Sequence, residues 1–136
     1  MLPIYSVKSI KMAKRIFTSF AIEDKTERDL FVGQAKNQAV PYELVDMSVK
    51  EPWNSSWKTK CRTRIKGCDG VIVLITKNLK NADGAIWEIK CAEEERIPIL
   101  GIYLNGTTIM DTPNELNGKK KIQWTWPGIA EFINGL

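Results

Sequence analysis

The sequence predicts an α/β domain built as a three-layer sandwich, with five parallel strands in the order 2-1-3-4-5 between two layers of helices. Three observations lead there. Short β-branched or aromatic runs alternate with helix-like segments from Arg15 to the end of the chain. One of those runs, VIVLIT at residues 71 to 76, carries no charge, which is the composition of a strand buried on both faces. The segments between runs are long enough to hold the crossover helices that parallel strands require. A length of 136 residues suits one compact domain with a single core.

Each element has its own signature. Residues 1–11 show no periodicity that continues into the first strand, and Met12 opens MAKRIFTSF. They are expected to be an N-terminal extension, with residues 12–136 forming one domain. RIFTSF, residues 15 to 20, is the first strand. Asp24 and Glu27 then stand three apart, as in a capping box. The first helix should begin near Asp24 or Thr26, turn Leu30, Phe31, Val32 and Ala35 inward, and end before Pro41.

YELV at 42 to 45 is a short second strand, followed by the turn-rich loop DMSVKEPWNSS. Asn54 or Ser55 can cap a second helix, in which Trp57, Cys61, Ile65 and Cys68 recur along one side and Gly67 closes the end. VIVLIT is the third and central strand. Each of its side chains, if buried, contributes about 1.5 to 3 kcal/mol against the entropy of ordering the chain. Next come a helix containing Glu88, the strand IPILGIYL, and a loop around NGTTIMDTPNELNG. A last strand, KIQWTW, should place Ile122, Trp124 and Trp126 on one face, and Pro127 suits the first turn of a closing helix. The whole layout is flavodoxin-like.

Composition narrows the chemistry. The chain has no histidine, which removes Ser-His-Asp and Cys-His catalysis, histidine metal sites and the usual proton shuttle. Its three cysteines, Cys61, Cys68 and Cys91, form no CxxC pair, so reduced, buried thiols are expected in place of disulfides or a metal site. A net charge of +4 admits an anionic ligand without calling for nucleic acid. No apolar run approaches the ~20 residues of a membrane span, and the N-terminus lacks the apolar centre of a secretory signal. A cytoplasmic protein with neither membrane nor nucleic-acid partners is expected.

In open parallel sheets ligands bind at the carboxyl ends of the strands, where the strand order reverses. That rule nominates Ser19, Phe20 and Ala21 after the first strand, Asp46 and Ser48 after the second, and Thr76 to Gly84 after the third. Glu88, early in the next helix, can face the same crevice, while Glu93, Glu94 and Glu95 lie at least a turn further on. A helix-surface acid favoured by the dipole is the plainer account of Glu88. Familiar occupants of such folds fit poorly. Glu23 and Asp24 would repel a phosphate after the first strand, Thr76 stands where a receiver domain needs aspartate, and no GxGxxG occurs.

FTSFAIED, YELVDMSVKEPWNSSWKTKCRTRI, GVIVLITKN and AIWEIKCAEEERIPILGIYL together resemble the TIR-like domains of the Thoeris type found in bacterial antiphage defence. The resemblance runs from about Arg15 to about Leu104 and rests on a strand-two DxS, a following Trp and a WEI in the helix after strand three. It implies an enzyme that cleaves NAD at the nicotinamide-ribose bond and closes the remaining ADP-ribose into a cyclic isomer. This diffusible nucleotide would activate a separate effector protein. NAD is then a substrate, with no cofactor and no metal, and homo-oligomers are an accompanying expectation. The catalytic residue implied is Glu88. Related enzymes often carry tryptophan four residues earlier, where this chain has Gly84, with Trp87 adjacent to the glutamate instead.

Phe20 and Trp57 are candidate aromatic walls that exclude water, and Asp46 and Ser48 are candidates to bind ribose. Each has a plainer role open to it: Trp57 and Phe20 in packing, Asp46 and Ser48 in turn formation. Lys58, Lys60, Arg62, Arg64 and Lys66 form either a solvated helix face or a lure for a diphosphate. A non-catalytic TIR-type adaptor and a nucleoside deoxyribosyltransferase-like enzyme are the alternative functions.

Overall fold

The computed structural model describes residues 14–37, 42–45 and 56–136. The proposed extension, together with the cap candidates Asn54 and Ser55, lies outside them. Five strands, β1 (Lys14–Ser19), β2 (Tyr42–Val45), β3 (Gly70–Ile75), β4 (Ile99–Tyr103) and β5 (Lys120–Gln123), form one sheet in the order β2-β1-β3-β4-β5. Every neighbouring pair is parallel. The helices are α1 (Lys25–Asn37), α2 (Trp57–Lys66), α3 (Asp83–Glu94) and α4 (Trp126–Asn134).

Strand alternation divides the core in two. Phe17, Val71, Val73 and Ile75 point to one face and meet Cys61 and Ile65 of α2 and Ala85, Ile89 and Ala92 of α3. Ile16, Phe20, Ile72, Leu74, Leu100 and Ile102 point to the other, against Phe31 of α1 and Ile129 and Ile133 of α4. All six residues of β3 are buried, as a strand covered by helices on both faces must be. Gly101 of β4 lies where a side chain would crowd Ile75, Lys121 and Leu116 at 3.0–3.4 Å, so glycine lets their side chains close over the strand.

Three local expectations are corrected. Leu30 is 53% exposed; α1 turns Phe31 and Ala35 inward, and these four-apart positions define a stripe that Leu30 lies beside. Asp24 ends a short 3-10 turn, Ile22–Asp24, and its carboxylate accepts hydrogen bonds from Thr76 and Asn78 across the sheet's end. Trp126 opens α4 and does not prolong the last strand, because Thr125 caps that helix at the Gly128 N–H and Pro127 occupies its first turn. Ile122, Trp124 and Trp126 still gather against the α1 side of the core, with Trp126 stacked on Phe31 at 5.3 Å.

Candidate active site

The crevice forms where β1 and β3 lie side by side and their connections leave in opposite directions along the sheet. Beneath it, α3 carries a buried stripe of Ala85, Glu88, Ile89 and Ala92, the i, i+3, i+4, i+7 spacing of a core-facing helix. A carboxylate stands where that pattern calls for an apolar residue. Glu88 is 1% exposed and is therefore not a surface acid. The sequence signal is its place on this stripe, and the helix dipole is not needed to explain it.

A hydroxyl and a thiol from the described residues lie against the carboxylate. Ser19 ends β1 on the same face as Phe17, so its hydroxyl points at α3 and donates to Oε1 of Glu88 at 2.7 Å. The Cys61 thiol of α2 reaches Oε2 at 3.6 Å. Both come from different elements than Glu88 itself, so β1, α2 and α3 must all be docked for the arrangement to exist. A buried acid held by such donors inside an apolar cluster costs stability relative to a hydrocarbon.

Beside it lies a hollow of about 610 Å³, lined among others by Trp57, Trp87, Gly84, Ala85, Lys58 and Lys90. Glu88 does not line it, whereas Ala85, one turn earlier on the same stripe, does. Trp57 and Trp87 meet edge to face at 5.3 Å, and the Lys58 ammonium lies 5.9 Å from the Trp87 ring. Arg62, 5.5 Å from that same ring, is bound to Glu94 at 2.8 Å and Glu95 at 2.6 Å. These pairs clamp α2 to α3 and hold the guanidinium proton above its ordinary affinity, first through Glu94 and then through Glu95. One of the five basic residues of α2 is thus an inter-helix tie. Burial pushes the Cys91 thiol up, and Arg62 partly offsets this.

The other nominated residues part company. Trp57 lines the hollow and also packs on the core. Phe20 is corrected: it is 1% exposed and belongs to the core on the opposite face, with Arg28 over its ring at 5.3 Å. Consecutive strand residues point to opposite faces, so Ser19 facing α3 sends Phe20 toward α1. Asp46 and Ser48 lie outside the described residues. Sequence reasoning misses Cys61 and Asp24 as polar partners at the sheet's end. No spacing rule links them to Glu88 or Thr76, because these contacts join residues 27 and 52 positions apart. Among the described residues no group of three or more acids or cysteines could hold a metal ion, and no helix is long and apolar enough to cross a membrane.

The TIR domains of the activated Roq1 resistosome, which directly recognises the pathogen effector XopQ, superpose with a TM-score of 0.50 at 18% identity, over 76% of this chain and 66% of that one. A prokaryotic SEFIR domain gives 0.48 at 15% identity over 90% and 88%. The Clostridium botulinum CMP N-glycosidase BcmB gives 0.47 at 16% over 90% and 97%. This chain spans just under two thirds of the Roq1 TIR chain, and that likeness shows a shared α/β fold. No curated protein sequence matches the chain. The family model for the TIR-like domain of the Thoeris protein ThsB matches residues 17–109, a span that contains Ser19, Cys61, Glu88 and nearly all of β1 through β4, and the chain belongs to that family.

Proposed function

We propose that this TIR-like domain cleaves NAD at the nicotinamide-ribose bond and closes the ADP-ribose into a cyclic isomer, a cytoplasmic signal for a separate effector protein in antiphage defence. The observation that carries this is Glu88, a carboxylate buried at the sheet's switch point, held by Ser19, beside a hollow walled by two tryptophans. The five-stranded 2-1-3-4-5 sheet supplies that switch point.

The chemistry asks little of the protein. When the C1′–N bond breaks, its electron pair goes to the nicotinamide nitrogen, which becomes neutral. No general acid is needed for that departure, so a chain without histidine can do it. Positive charge builds on the ribose carbon, and a fixed carboxylate stabilises it or holds the ribose hydroxyls. Attack by an adenine nitrogen or a ribose hydroxyl of the same molecule then closes the ring, provided water is kept out. Trp57 and Trp87, edge to face on this hollow, offer aromatic surface against which a nicotinamide ring packs. Lys58 and Lys90 line the same hollow together with Glu23 and Asp83, so its charge is balanced and does not by itself select a diphosphate. Glu88 is 1% exposed and is not among the residues lining the hollow, so a local movement must bring it and the ribose together.

The test is direct. Full-length protein and its Glu88→Gln form are incubated with NAD, and nicotinamide and cyclic products are measured by mass spectrometry. Release by the wild type and none by the variant supports the assignment; equal release by both removes Glu88 from the reaction.

A further inference from the structure

The turn Ile22–Asp24 has a hollow on each side. Ile22 and Glu23 line the tryptophan-walled hollow beside α3, whereas Asp24 lines another of about 390 Å³, at the carboxyl ends of β3, β4 and β5. We propose that this second hollow binds an uncharged nucleoside, whose base packs on Trp124 and whose hydroxyls bond to Asp24 and Glu27. The site is separate from NAD cleavage and does not depend on it.

Its walls suit a flat ring. Trp124 is held by Phe31 at 5.8 Å and Trp126 at 6.2 Å between ring centres, so an aromatic wall stands in place without a ligand. Leu104 and Leu30 add apolar surface, which gives the leucine that α1 leaves outside the core a surface to complete. The indole N–H of Trp124 is buried and has no acceptor among the described residues. Buried donors are nearly always paired, and a ring nitrogen or carbonyl of a base is an acceptor of the right kind. The volume falls within the roughly 300 to 1,000 Å³ of small-molecule sites.

Charge separates a nucleoside from a nucleotide. Asp24 and Glu27 face one cation, Lys77, so the lining carries an excess of negative charge and disfavours a phosphate. Asp24 accepts one bond on each oxygen, from Thr76 and from Asn78. A carboxylate has about four acceptor positions, so two remain for hydroxyls. The side chains of Glu27 and Asn105 are exposed, with no hydrogen-bond or ion-pair partner among the described residues. An acceptor and an amide that both donates and accepts thus stand open at the rim, matching hydroxyls and an exocyclic amine.

Full-length wild type, Glu27→Gln and Asn105→Trp are titrated by calorimetry with adenosine, adenosine monophosphate and ribose, with melting curves to confirm folding. Both substitutions fall at exposed positions. Wild type should bind adenosine with a Kd on the order of 0.1 mM, the monophosphate at least about fivefold more weakly, and ribose with a Kd above about 10 mM. Asn105→Trp, which fills the hollow, should abolish adenosine binding. Glu27→Gln should weaken adenosine and narrow the gap between it and the monophosphate.

A second measurement locates the ligand: the indole N–H signals are followed by NMR as adenosine is added. The Trp124 signal should shift and saturate, while those of Trp57 and Trp87 in the other hollow stay in place. No adenosine binding by wild type at about 5 mM, a monophosphate bound as tightly as adenosine, undiminished binding by Asn105→Trp, or shifts confined to Trp57 and Trp87 would each overturn the proposal. None of these readings involves turnover, so the result stands whether or not the protein cleaves NAD.

Discussion

Asp24 makes a quantitative test of how the crevice is held open. Its buried carboxylate, at the end of the turn after β1, accepts from the Thr76 hydroxyl just past β3 and from the Asn78 amide at 2.8 Å. The two bonds tie together the connections that diverge at the switch point. Asp24→Ala removes both. Thr76 is only 6% exposed, so its hydroxyl would lose a charged acceptor without water to replace it, at about 1.5 to 3 kcal/mol. Asn78 is exposed and can turn to solvent, adding about 0.5 to 1 kcal/mol. The expected loss is about 2 to 4 kcal/mol, which for a domain of this size lowers Tm by about 8 to 15 °C. Urea unfolding should show an earlier midpoint with an unchanged slope. The double variant Asp24→Ala/Thr76→Val, having no orphaned hydroxyl, should lose about 1 kcal/mol less than the sum of the singles. A loss under about 1 kcal/mol for Asp24→Ala, or strict additivity with Thr76→Val, refutes the reasoning.

Two further outcomes are expected from the cluster around α3. Trp57→Ala removes an aromatic wall of the hollow, so KM for NAD should rise by about fivefold or more while kcat changes less; an unchanged KM would move the nicotinamide elsewhere. Cys91, whose thiol is pushed up mainly by burial from the ordinary value of 9.0, holds its proton in the native state to higher pH than in the unfolded chain. Its contribution to stability is fully present below about pH 9 and is lost as pH rises beyond that value. Wild type should lose more stability than Cys91→Ala between about pH 8 and about pH 10, and equal losses would contradict the burial argument.

Much of this is legible in the chain. The uncharged run at 71–76 reads as a doubly covered strand, and alternation with helices makes the sheet parallel. The carboxyl-end rule brings Ser19 and Glu88 into one neighbourhood without any distance. Direction and long-range pairing stay hidden. Phe20 reads as part of the crevice because it lies beside Ser19 at the same strand's end, yet strand alternation sends it to the α1 side. Leu30 reads as core in any apolar count, but a helix has only one buried stripe, and Phe31 and Ala35 occupy it. Asp24 fits a local cap as well as a distant bond, and local pattern cannot choose between them. Cys61 looks like any small buried residue until α2 docks and turns its thiol to Oε2.

The central claim, that Glu88 is a buried carboxylate kept for chemistry at a cost in stability, is tested most directly by Glu88→Gln. The substitution keeps the side chain's shape and discards its charge. Melting temperature and nicotinamide release from NAD should be measured on the same preparations. The expected result is a Tm equal to or above wild type with release reduced by at least about 100-fold. A glutamine protein that melts well below wild type, or one that releases nicotinamide at the wild-type rate, would contradict it.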